Sequence, residues 1–286
     1  MSTNGAGISC SSSIPPLPNS LPTITSTANP FVKRARRLRN RKFREAEGVF
    51  LVEGIAHVRQ AIDHAAPLES LIVAPELLRS EGAWSAVAER EGAGVEVVRL
   101  GREAFESIVE RDHPSGLAAT VRISQTQPTD LVAGPGSIFV AVQDVGNPGN
   151  LGSIIRTVDA VGGAGVLVLG DATDHLHPAA VKASMGTLFR VQVVRAAGVD
   201  ELIAWCLMEA VDVVTTSAKA DLLLWDAEIP TPVCFLFGSE TQGLAPEVLA
   251  RGRYAVRLPM EGSASSLNLA VSVGVILYEM RRRLRA

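Results

Sequence analysis

The chain alternates short apolar runs with amphipathic segments in two separate stretches. In the first stretch, apolar runs typical of strands cover residues 48–53, 71–74, 95–100 and 117–123. Apolar side chains recur at helical spacing in the segments between them, over residues 55–62, 77–91 and 103–111. This order of elements predicts a small α/β domain.

The second stretch begins at Ile138 and continues the alternation over a greater length. Its strand-type runs are continuously apolar, and they cover residues 138–142, 166–169, 191–194, 211–215, 233–237 and 254–258. A long helical pattern over residues 267–284 closes the chain. Continuous apolar strands that alternate with helices predict a parallel sheet covered on both faces.

Two segments without periodicity complete the predicted organisation. Residues 1–29 are rich in Ser, Thr, Pro, Asn and Gly and predict a disordered tail, and residues 125–137 read as an interdomain linker. The predicted domains are therefore residues 30–124 and 138–286. No apolar run reaches the roughly 20 residues that a membrane span needs. The first 32 residues carry neither Lys nor Arg, so we expect no presequence and no membrane partner.

The position of the charges matters more than their sum. The chain has 286 residues, with 27 Lys and Arg against 30 Asp and Glu, a net charge of −3 that by itself argues against a nucleic-acid partner. However, eight cations and no acid lie in one short segment: Lys33, Arg34, Arg36, Arg37, Arg39, Arg41, Lys42 and Arg44. We interpret this segment as an RNA-phosphate contact rather than a solvated helix face. For the closing Arg281, Arg282, Arg283 and Arg285, a structural role at a helix C-terminus is favoured.

Cysteine and histidine usage excludes some chemistries. Cys10, Cys206 and Cys234 form no CxxC pair, so neither a disulfide framework nor a zinc site is expected, and the cytoplasm is the default location. The five histidines form no metal-binding spacing, and we expect them to be structural or surface residues: His57, His64, His113, His175 and His177.

A Gly-rich and Asn-rich segment follows the first strand of the second stretch. It reads DVGNPGNLG over residues 144–152 and leads into a helix that carries Arg156. Polar loops at the carboxyl ends of parallel strands form the ligand crevice of such sheets. Because Arg156 lies nearly two turns after Asn150, we expect both to project toward a similar side. Taken alone, the segment is equally consistent with a Gly/Pro loop beside a surface Arg. Its glycine spacing matches neither a dinucleotide nor a P-loop motif.

Two further polar loops follow later strands. LFGSETQGL over residues 236–244 places Glu240 between glycines, and LPMEGSASSLN over residues 258–268 precedes the closing helix. Singly, these are consistent with an ordinary strand-to-helix turn and with a Ser N-cap. Together, three such loops far apart in sequence indicate one functional centre.

The combination resembles the SpoU (TrmH-type) family of RNA ribose 2′-O-methyltransferases in the SPOUT superfamily. The motifs NPGNLGSIIRT, FGSETQGL and LPMEGSASSLN occur in the family's order, although Thr241 stands where the family often has a small residue. More loosely, RKFREAEGVFLVEG at residues 41–54 is similar to the start of the family's L30e-like substrate domain. The resemblance implies a C-terminal SPOUT parallel-sheet domain with a deep trefoil knot and a smaller N-terminal L30e-like α/β domain.

The resemblance also implies a cofactor, an assembly and site residues. It implies S-adenosyl-L-methionine as cofactor, a homodimer and no metal, with cofactor contacts at Gly238, Leu258, Met260 and Leu267. The implied catalytic centre is Arg156 with Asn150, Glu240, Ser266 and Asn268 around it. An Arg is effectively always protonated, so we favour Arg156 as a phosphate binder and alkoxide stabiliser over a direct base.

The sequence leaves alternatives open for the substrate and for the function. The L30e-like domain favours large-subunit ribosomal RNA, with tRNA as the second candidate. From a different class, the chain could be a catalytically silent RNA-binding or ribosome-assembly module, but Arg156, Glu240 and Asn268 are all present and argue against that. A nicotinamide-dependent oxidoreductase would need a G-x-G-x-x-G motif that the sequence lacks.

Overall fold

The computed structural model describes residues 22–110, 113–124, 126–171 and 174–285. Most of the predicted tail therefore lies outside the described residues. In the part that is described, residues 22–29, one residue pairs with the N-terminal domain. Ile24 donates a backbone hydrogen bond of 2.9 Å to Arg99 and accepts one of 3.0 Å from Gly101.

The N-terminal domain is built on a four-stranded mixed sheet. Its strands are β1 (Val49–Glu53), β2 (Leu68–Val73), β3 (Glu96–Arg99) and β4 (Leu117–Arg122). Strand β4 lies between β1 and β2 and is antiparallel to both, whereas β2 and β3 are parallel. The helices are α1 (Pro30–Arg37), α2 (Arg41–Glu47), α3 (Ile55–Asp63), α4 (Glu81–Gly92) and α5 (Arg102–Glu106). All four predicted strands are present.

The basic segment forms the two short helices α1 and α2. The Asn29 side chain accepts a hydrogen bond from the Phe31 backbone N–H at the start of α1, where Pro30 occupies the first position. The Asn40 side chain does the same for Lys42 in α2, and Gly48 ends α2 with a left-handed backbone. The basic segment, one continuous run in the sequence, is thus divided into two helices, each with an asparagine cap.

The C-terminal domain is built on a seven-stranded parallel sheet. Its strands are β5 (Ile138–Gln143), β6 (Gly165–Leu169), β7 (Val193–Ala196), β8 (Asp212–Thr216), β9 (Leu222–Leu223), β10 (Val233–Phe237) and β11 (Tyr254–Arg257). The spatial order is β7-β6-β5-β10-β8-β11-β9, and every neighbouring pair is parallel. The predicted parallel sheet is confirmed, and the predicted knot stays a prediction.

Helices cover both faces of this sheet. They are α6 (Pro148–Ala160), α7 (Pro178–Ala183), α8 (Val199–Met208), α9 (Pro246–Leu249) and α10 (Leu269–Arg283). On one face, apolar side chains of α6 and α10 pack with those of β5 and β10. On the other face, Leu202, Trp205 and Cys206 of α8 pack against the same strands. Double-sided burial explains why the strands read as continuous apolar runs.

Two arginines of the closing segment have structural partners. Arg281 donates hydrogen bonds of 2.7 Å to the carbonyls of Val161 and Gly162 just after α6. Arg283 donates hydrogen bonds of 2.6 Å to the carbonyls of Leu224 and Ala227. The structural role favoured from sequence is confirmed for these two residues.

The segment around α7 joins the two domains. Leu176 and Val181 belong to the same apolar cluster as Phe50 and Val52 of β1. A buried ion pair of 2.6 Å between Arg44 of α2 and Asp174 lies beside this cluster. The junction therefore combines apolar packing with one buried pair of charges.

Candidate active site

The three polar loops that the sequence singles out lie at the carboxyl ends of parallel strands. The first follows β5 and leads into α6, the second follows β10, and the third follows β11 and leads into α10. Strands β5 and β10 are neighbours, and β8 alone separates β10 from β11. The topology thus brings segments more than 100 residues apart in sequence to one edge of the sheet.

Local capping fixes the first loop. The Asn147 side chain accepts a hydrogen bond of 2.8 Å from the Gly149 backbone N–H, and Pro148 occupies the first position of α6. Asn150 consequently lies in the first turn of the helix, at its amino end. Asp144 has a positive φ of 53°, a conformation that is uncommon for a residue other than glycine.

A chain of side-chain hydrogen bonds joins all three loops. Nδ2 of Asn150 donates 2.8 Å to Oε1 of Glu240 in the second loop. Nδ2 of Asn268 in the third loop donates 3.2 Å to Oδ1 of Asn150. Oδ1 of Asn268 accepts 2.9 Å from the backbone of Ala270 and caps α10. In both Asn150 and Asn268 the amide NH2 donates a hydrogen bond and the amide oxygen accepts one, which fixes the orientation of each side chain.

Glu240 is the charged member of this chain. Its Oε2 accepts a hydrogen bond of 3.1 Å from the Gly146 backbone N–H in the first loop. Partial burial would raise the pKa of Glu240, but the hydrogen bonds from Asn150 and Gly146 outweigh it and the pKa is lowered. The carboxylate is thus ionised and a weak base, which suits positioning better than proton abstraction.

The second loop depends on a close backbone approach. A Cβ added at Gly238 would lie 2.2 Å from the carbonyl carbon of Gly243, so a side chain at this position would force the loop open. Gly243 has a positive φ of 68°, and its backbone N–H donates 2.9 Å to the carbonyl of Ser239. This geometry explains the two glycines that bracket Glu240.

The third loop is open and exposes its backbone. Leu258 and Met260 are half-buried, residues 261–268 are exposed, and the Leu267 side chain is 39% exposed. Among the described residues, no backbone N–H from Met260 to Leu267 donates a hydrogen bond to another protein group. Free backbone donors beside apolar side chains fit the adenine end of a nucleoside cofactor.

Arg156 and Ser266 stand apart from the hydrogen-bonded chain. Six residues of α-helix rotate Arg156 about 240° from Asn150, which is about 120° by the shorter way round, and the expected projection toward a similar side stays a prediction. The Arg156 side chain is exposed, and within the described part of the chain it makes neither a hydrogen bond nor an ion pair. Ser266 is exposed in the third loop, two residues before Asn268. The catalytic roles of both stay predictions.

Most of the eight cations in residues 33–44 have partners inside the protein. Arg34 pairs with Glu47 and Glu69, Arg36 with Ser107, Arg39 with the Val109 carbonyl, and Arg41 with Glu45 and Asp171. Arg44 is 1% exposed and pairs with Asp174, so its charge is used inside the protein and not on an RNA phosphate, which corrects its predicted role as a phosphate contact. The exposed members without an ion pair to a described residue are Lys33, Arg37 and Lys42.

The sequence also predicts neither a metal site nor a membrane span, and the structure bears on both. The described residues contain no cluster of three or more His, Cys, Asp or Glu side chains that could hold a metal ion. No helix in the described ranges has the length and apolar character to cross a membrane. Cys206 and Cys234 are free thiols in the core, and Cys10 lies outside the described residues.

The fold and the site define an α/β protein with a ligand site at the carboxyl edge of a parallel sheet. Residues 137–278 match the SpoU rRNA Methylase family, and residues 29–119 match the MRM3-like substrate binding domain. The chain belongs to the SpoU methylase family, and the protein is an RNA methyltransferase. The family resemblance read from the three motifs is confirmed.

Characterised and solved relatives match nearly the whole chain. A 23S rRNA (uridine(2479)-2′-O)-methyltransferase of Streptomyces viridochromogenes is 31% identical over 268 residues, which cover 91% of this chain and 92% of the relative. The solved structure of the SpoU methyltransferase AviRb from that organism, in complex with AdoMet, is 29% identical with a TM-score of 0.82, covering 90% of this chain and 99% of AviRb. An AdoMet-bound rRNA methyltransferase from Sinorhizobium meliloti has the same TM-score and 31% identity, covering 92% and 98%.

Proposed function

We propose that this protein transfers a methyl group from S-adenosyl-L-methionine to a ribose 2′-hydroxyl of large-subunit ribosomal RNA. The observation that carries the proposal is the hydrogen-bonded junction of Asn150, Glu240 and Asn268, which unites three loops at one edge of the sheet. The 23S rRNA specificity of the Streptomyces relative supports the choice of ribosomal RNA. The domains that carry this activity would be residues 30–124 and 138–286.

Residues of the second and third loops would hold the cofactor. When bound, S-adenosyl-L-methionine supplies an electrophilic methyl group on its sulfonium. Gly238 allows the tight second loop, while Leu258, Met260 and Leu267 line the third loop, whose backbone N–H groups are free to hydrogen-bond the adenine. Recognition by backbone and apolar groups needs no charged residue here.

The nucleophile is a ribose hydroxyl, whose proton must be drawn off as the new bond forms. Arg156 would bind the adjacent RNA phosphate and stabilise the developing alkoxide, because a guanidinium stays protonated. Direct base catalysis by Arg156 would require strong desolvation, and its side chain is exposed. Glu240 would orient Asn150 through its hydrogen bond, and Asn268 and Ser266 would hold the third loop against this centre.

The N-terminal domain would bind RNA through fewer cations than the sequence suggests. Lys33 and Arg37 lie four residues apart on α1, and Lys42 lies in the first turn of α2, all three with exposed side chains. Arg37 also lies over the Phe43 ring, 5.5 Å from its centroid. Phosphate contacts position the RNA without reading its sequence. The surrounding arginines would then shape this surface through their internal partners.

The exposed face of α10 supports a homodimer. Val271, Val275 and Tyr278 lie at helical spacing and are 51%, 36% and 59% exposed. A second copy of the chain would bury this stripe in an isologous contact. We further propose a cytoplasmic location, since the proposed substrate is ribosomal RNA and the buried cysteines are free.

A methyl-transfer assay tests the proposed function. Purified protein and labelled S-adenosyl-L-methionine are incubated with total rRNA and with tRNA from a strain lacking this gene, and the labelled ribose is then mapped. We expect label in large-subunit rRNA. Label in tRNA alone would establish the alternative substrate. Cofactor binding without transfer to either pool would favour a catalytically silent RNA-binding module.

A further inference from the structure

A cavity lies between the two domains, away from the three loops. Its volume is about 360 Å³, within the range of small-molecule sites. The N-terminal domain and the segment after it contribute Arg44, Ile123 and Ser124, and the C-terminal domain contributes His175, Leu176 and Arg195. The cavity therefore exists only where the two domains meet.

The charged groups at this cavity are already neutralised by other protein groups. Arg44 pairs with Asp174 at 2.6 Å, and Arg195 pairs with Asp171 at 2.7 Å. Glu45, also at the cavity wall, pairs with Arg41 at 2.6 Å. Because each charge has its counter-charge, a phosphate would gain little here. The cavity is suited to an uncharged ligand with polar edges.

His175 offers a polar group that the protein does not use. Its Nδ1 is buried and has no hydrogen-bond partner among the described residues. Burial lowers the pKa of His175 to about 4, so the ring is uncharged near neutral pH. A neutral imidazole has one donor and one acceptor nitrogen. A buried polar atom without a partner is costly, and a small rotation of the ring toward the cavity would let a ligand edge satisfy it.

Apolar side chains and a guanidinium plane form further parts of the cavity wall. Ile123 and Leu176 provide apolar walls. The Arg195 guanidinium is fixed by hydrogen bonds to the Gly170 carbonyl at 3.0 Å and to Asp171, so its plane is held in place. Proteins that read unpaired RNA place bases against such guanidinium planes and hydrogen-bond their edges.

We propose that this interdomain cavity binds an unpaired nucleobase of the RNA substrate, as a subsite separate from the methyl-transfer centre. This inference rests on the proposed function, because it takes RNA as the substrate. A nucleobase is planar, uncharged and edged with donors and acceptors, which matches the walls, the neutralised charges and the uncharged His175 ring at the cavity wall. Exposed Lys42 lies in the first turn of α2, two residues before Arg44 at the cavity wall, and would hold the RNA backbone nearby.

The cavity is close enough to the methyl-transfer centre for one RNA strand to reach both. Arg195 lies on β7, two strands from β5 and three from β10. With about 4.8 Å between neighbouring strands, β7 lies roughly 10 to 15 Å from β5 and β10 across the sheet, a distance that a few nucleotides span. Gly170 also lies near Asp144, since a Cβ there would be 3.2 Å from Oδ1 of Asp144. The two sites thus share one edge of the sheet.

A cavity-filling substitution tests this proposal. Ser124 is exposed at the cavity wall, so Ser124→Trp can place an indole in the cavity without disturbing the core. Ser85→Trp, at an exposed position on α4 outside the cavity, is the matched control. His175→Phe keeps the bulk of the ring and removes both nitrogens. Thermal unfolding of each variant reports whether the fold is retained.

Ligand-observed NMR with the four 5′-ribonucleoside monophosphates reads the cavity directly. The full-length protein is saturated with S-adenosylhomocysteine, so that binding at the cofactor site does not contribute. We expect saturation transfer to at least one nucleotide base with the unmodified protein and Ser85→Trp, and its loss with Ser124→Trp and His175→Phe. Absence of transfer in all proteins, or equal transfer in all, would overturn the proposal.

Methylation kinetics provide the second readout. With the RNA identified by the methyl-transfer assay, we expect Ser124→Trp to raise KM for RNA about tenfold, the order of one lost base contact, while cofactor affinity is unchanged. An unchanged KM for RNA would overturn the subsite even if mononucleotides bind. Because the NMR measurement needs no methyl transfer, failure of the proposed function and failure of the subsite give different results.

Discussion

Asn150 donates a hydrogen bond of 2.8 Å from Nδ2 to Oε1 of Glu240, although 90 residues separate them in sequence. The bond joins the loop after β5 to the loop after β10, and the same carboxylate accepts from the Gly146 backbone. Glu240 is therefore the residue that couples two of the three loops. Its lowered pKa follows from these donors, which outweigh its partial burial.

We expect Glu240→Gln to lower kcat about tenfold or more. The substitution keeps the shape of the side chain but removes its charge, and it places an NH2 group opposite one of two hydrogen-bond donors. A hydrogen bond to a charged group contributes about 1.5–3 kcal/mol, which corresponds to a loss of this size. Methyl-transfer rates at saturating cofactor and RNA measure the effect. Glu247→Gln, at an exposed position in α9, is the control, and equal rates in the two variants would refute the positioning role.

Arg156→Ala should abolish turnover and leave cofactor affinity nearly unchanged. The reason is that the guanidinium is proposed to act on the RNA phosphate and on the developing alkoxide, neither of which belongs to the cofactor. Single-turnover methylation and calorimetric titration with S-adenosylhomocysteine separate the two effects. Arg156→Lys keeps the positive charge without the planar fork and should retain part of the rate. Near-normal methylation by Arg156→Ala would remove the residue from the mechanism.

The sequence predicts the three loops well because each is a short polar interruption of a strongly apolar strand. Residue spacing alone places Arg156 about 120° around α6 from Asn150, so whether the long Arg side chain reaches the same centre depends on tertiary structure. The sequence fails on Arg44. A run of eight cations gives no sign that this guanidinium is buried against Asp174, a residue 130 positions away. Partners so distant depend on domain packing, which local patterns do not encode.

The sequence pattern also predicts neither the antiparallel pairing of β4 nor the two-residue strand β9. Strand β4 is apolar in the same way as β2, and nothing in its sequence specifies which neighbours it takes. Strand β9 consists of Leu222 and Leu223 alone, which is too short to show a period. Tertiary contacts determine which strands pair and whether a very short strand forms.

Gly152→Ala should destabilise the fold by about 1–3 kcal/mol. A Cβ at Gly152 would lie 2.3 Å from the Ala180 carbonyl oxygen and 2.8 Å from the Ala183 Cβ, so α6 and α7 would have to move apart. Because α7 also packs on the N-terminal domain, the shift would reach the domain junction. Denaturant unfolding monitored by circular dichroism measures the change.

Gly274→Ala is the matched control for that experiment. Gly274 lies inside α10, and a Cβ there would meet only Thr157 Cγ2 at 3.8 Å, an ordinary contact. Alanine is the better helix former by about 1 kcal/mol, so this variant should be neutral or more stable. An equal loss of stability in the two variants would contradict the packing argument for Gly152.

The ion pair between Arg44 and Asp174 should make the domain junction sensitive to acid. Burial would raise the pKa of Asp174, but the hydrogen bonds from Arg44 and the Leu176 backbone, together with the charge of Arg44, outweigh it and the pKa is lowered. The carboxylate therefore stabilises the folded state fully above the ordinary Asp pKa of about 3.9, and the contribution is lost as the pH falls through the lower folded-state value. Unfolding curves between pH 7 and pH 2 measure this dependence.

We expect Asp174→Asn to cost about 3–5 kcal/mol at pH 7, because it leaves the buried Arg44 without its counter-charge. The acid-dependent loss attributed to Asp174 should also disappear in this variant. Asp171→Asn provides the comparison, since Asp171 pairs with Arg41 and Arg195 but its side chain is 90% exposed, and little change is expected. Similar stabilities of the two variants would show that the buried pair does not hold the junction.

Val275→Glu should convert the proposed homodimer to a monomer. Val275 lies at the centre of the exposed apolar stripe on α10, between Val271 and Tyr278. At a two-fold contact the substitution would place two carboxylates close together in a desolvated surface, which opposes association. Sedimentation velocity of the full-length protein over a range of concentrations measures the oligomeric state. Leu207→Glu, at a 78% exposed position on α8, adds the same charge elsewhere and should remain dimeric. A dimer that persists in Val275→Glu, or is lost equally in Leu207→Glu, would place the interface away from α10.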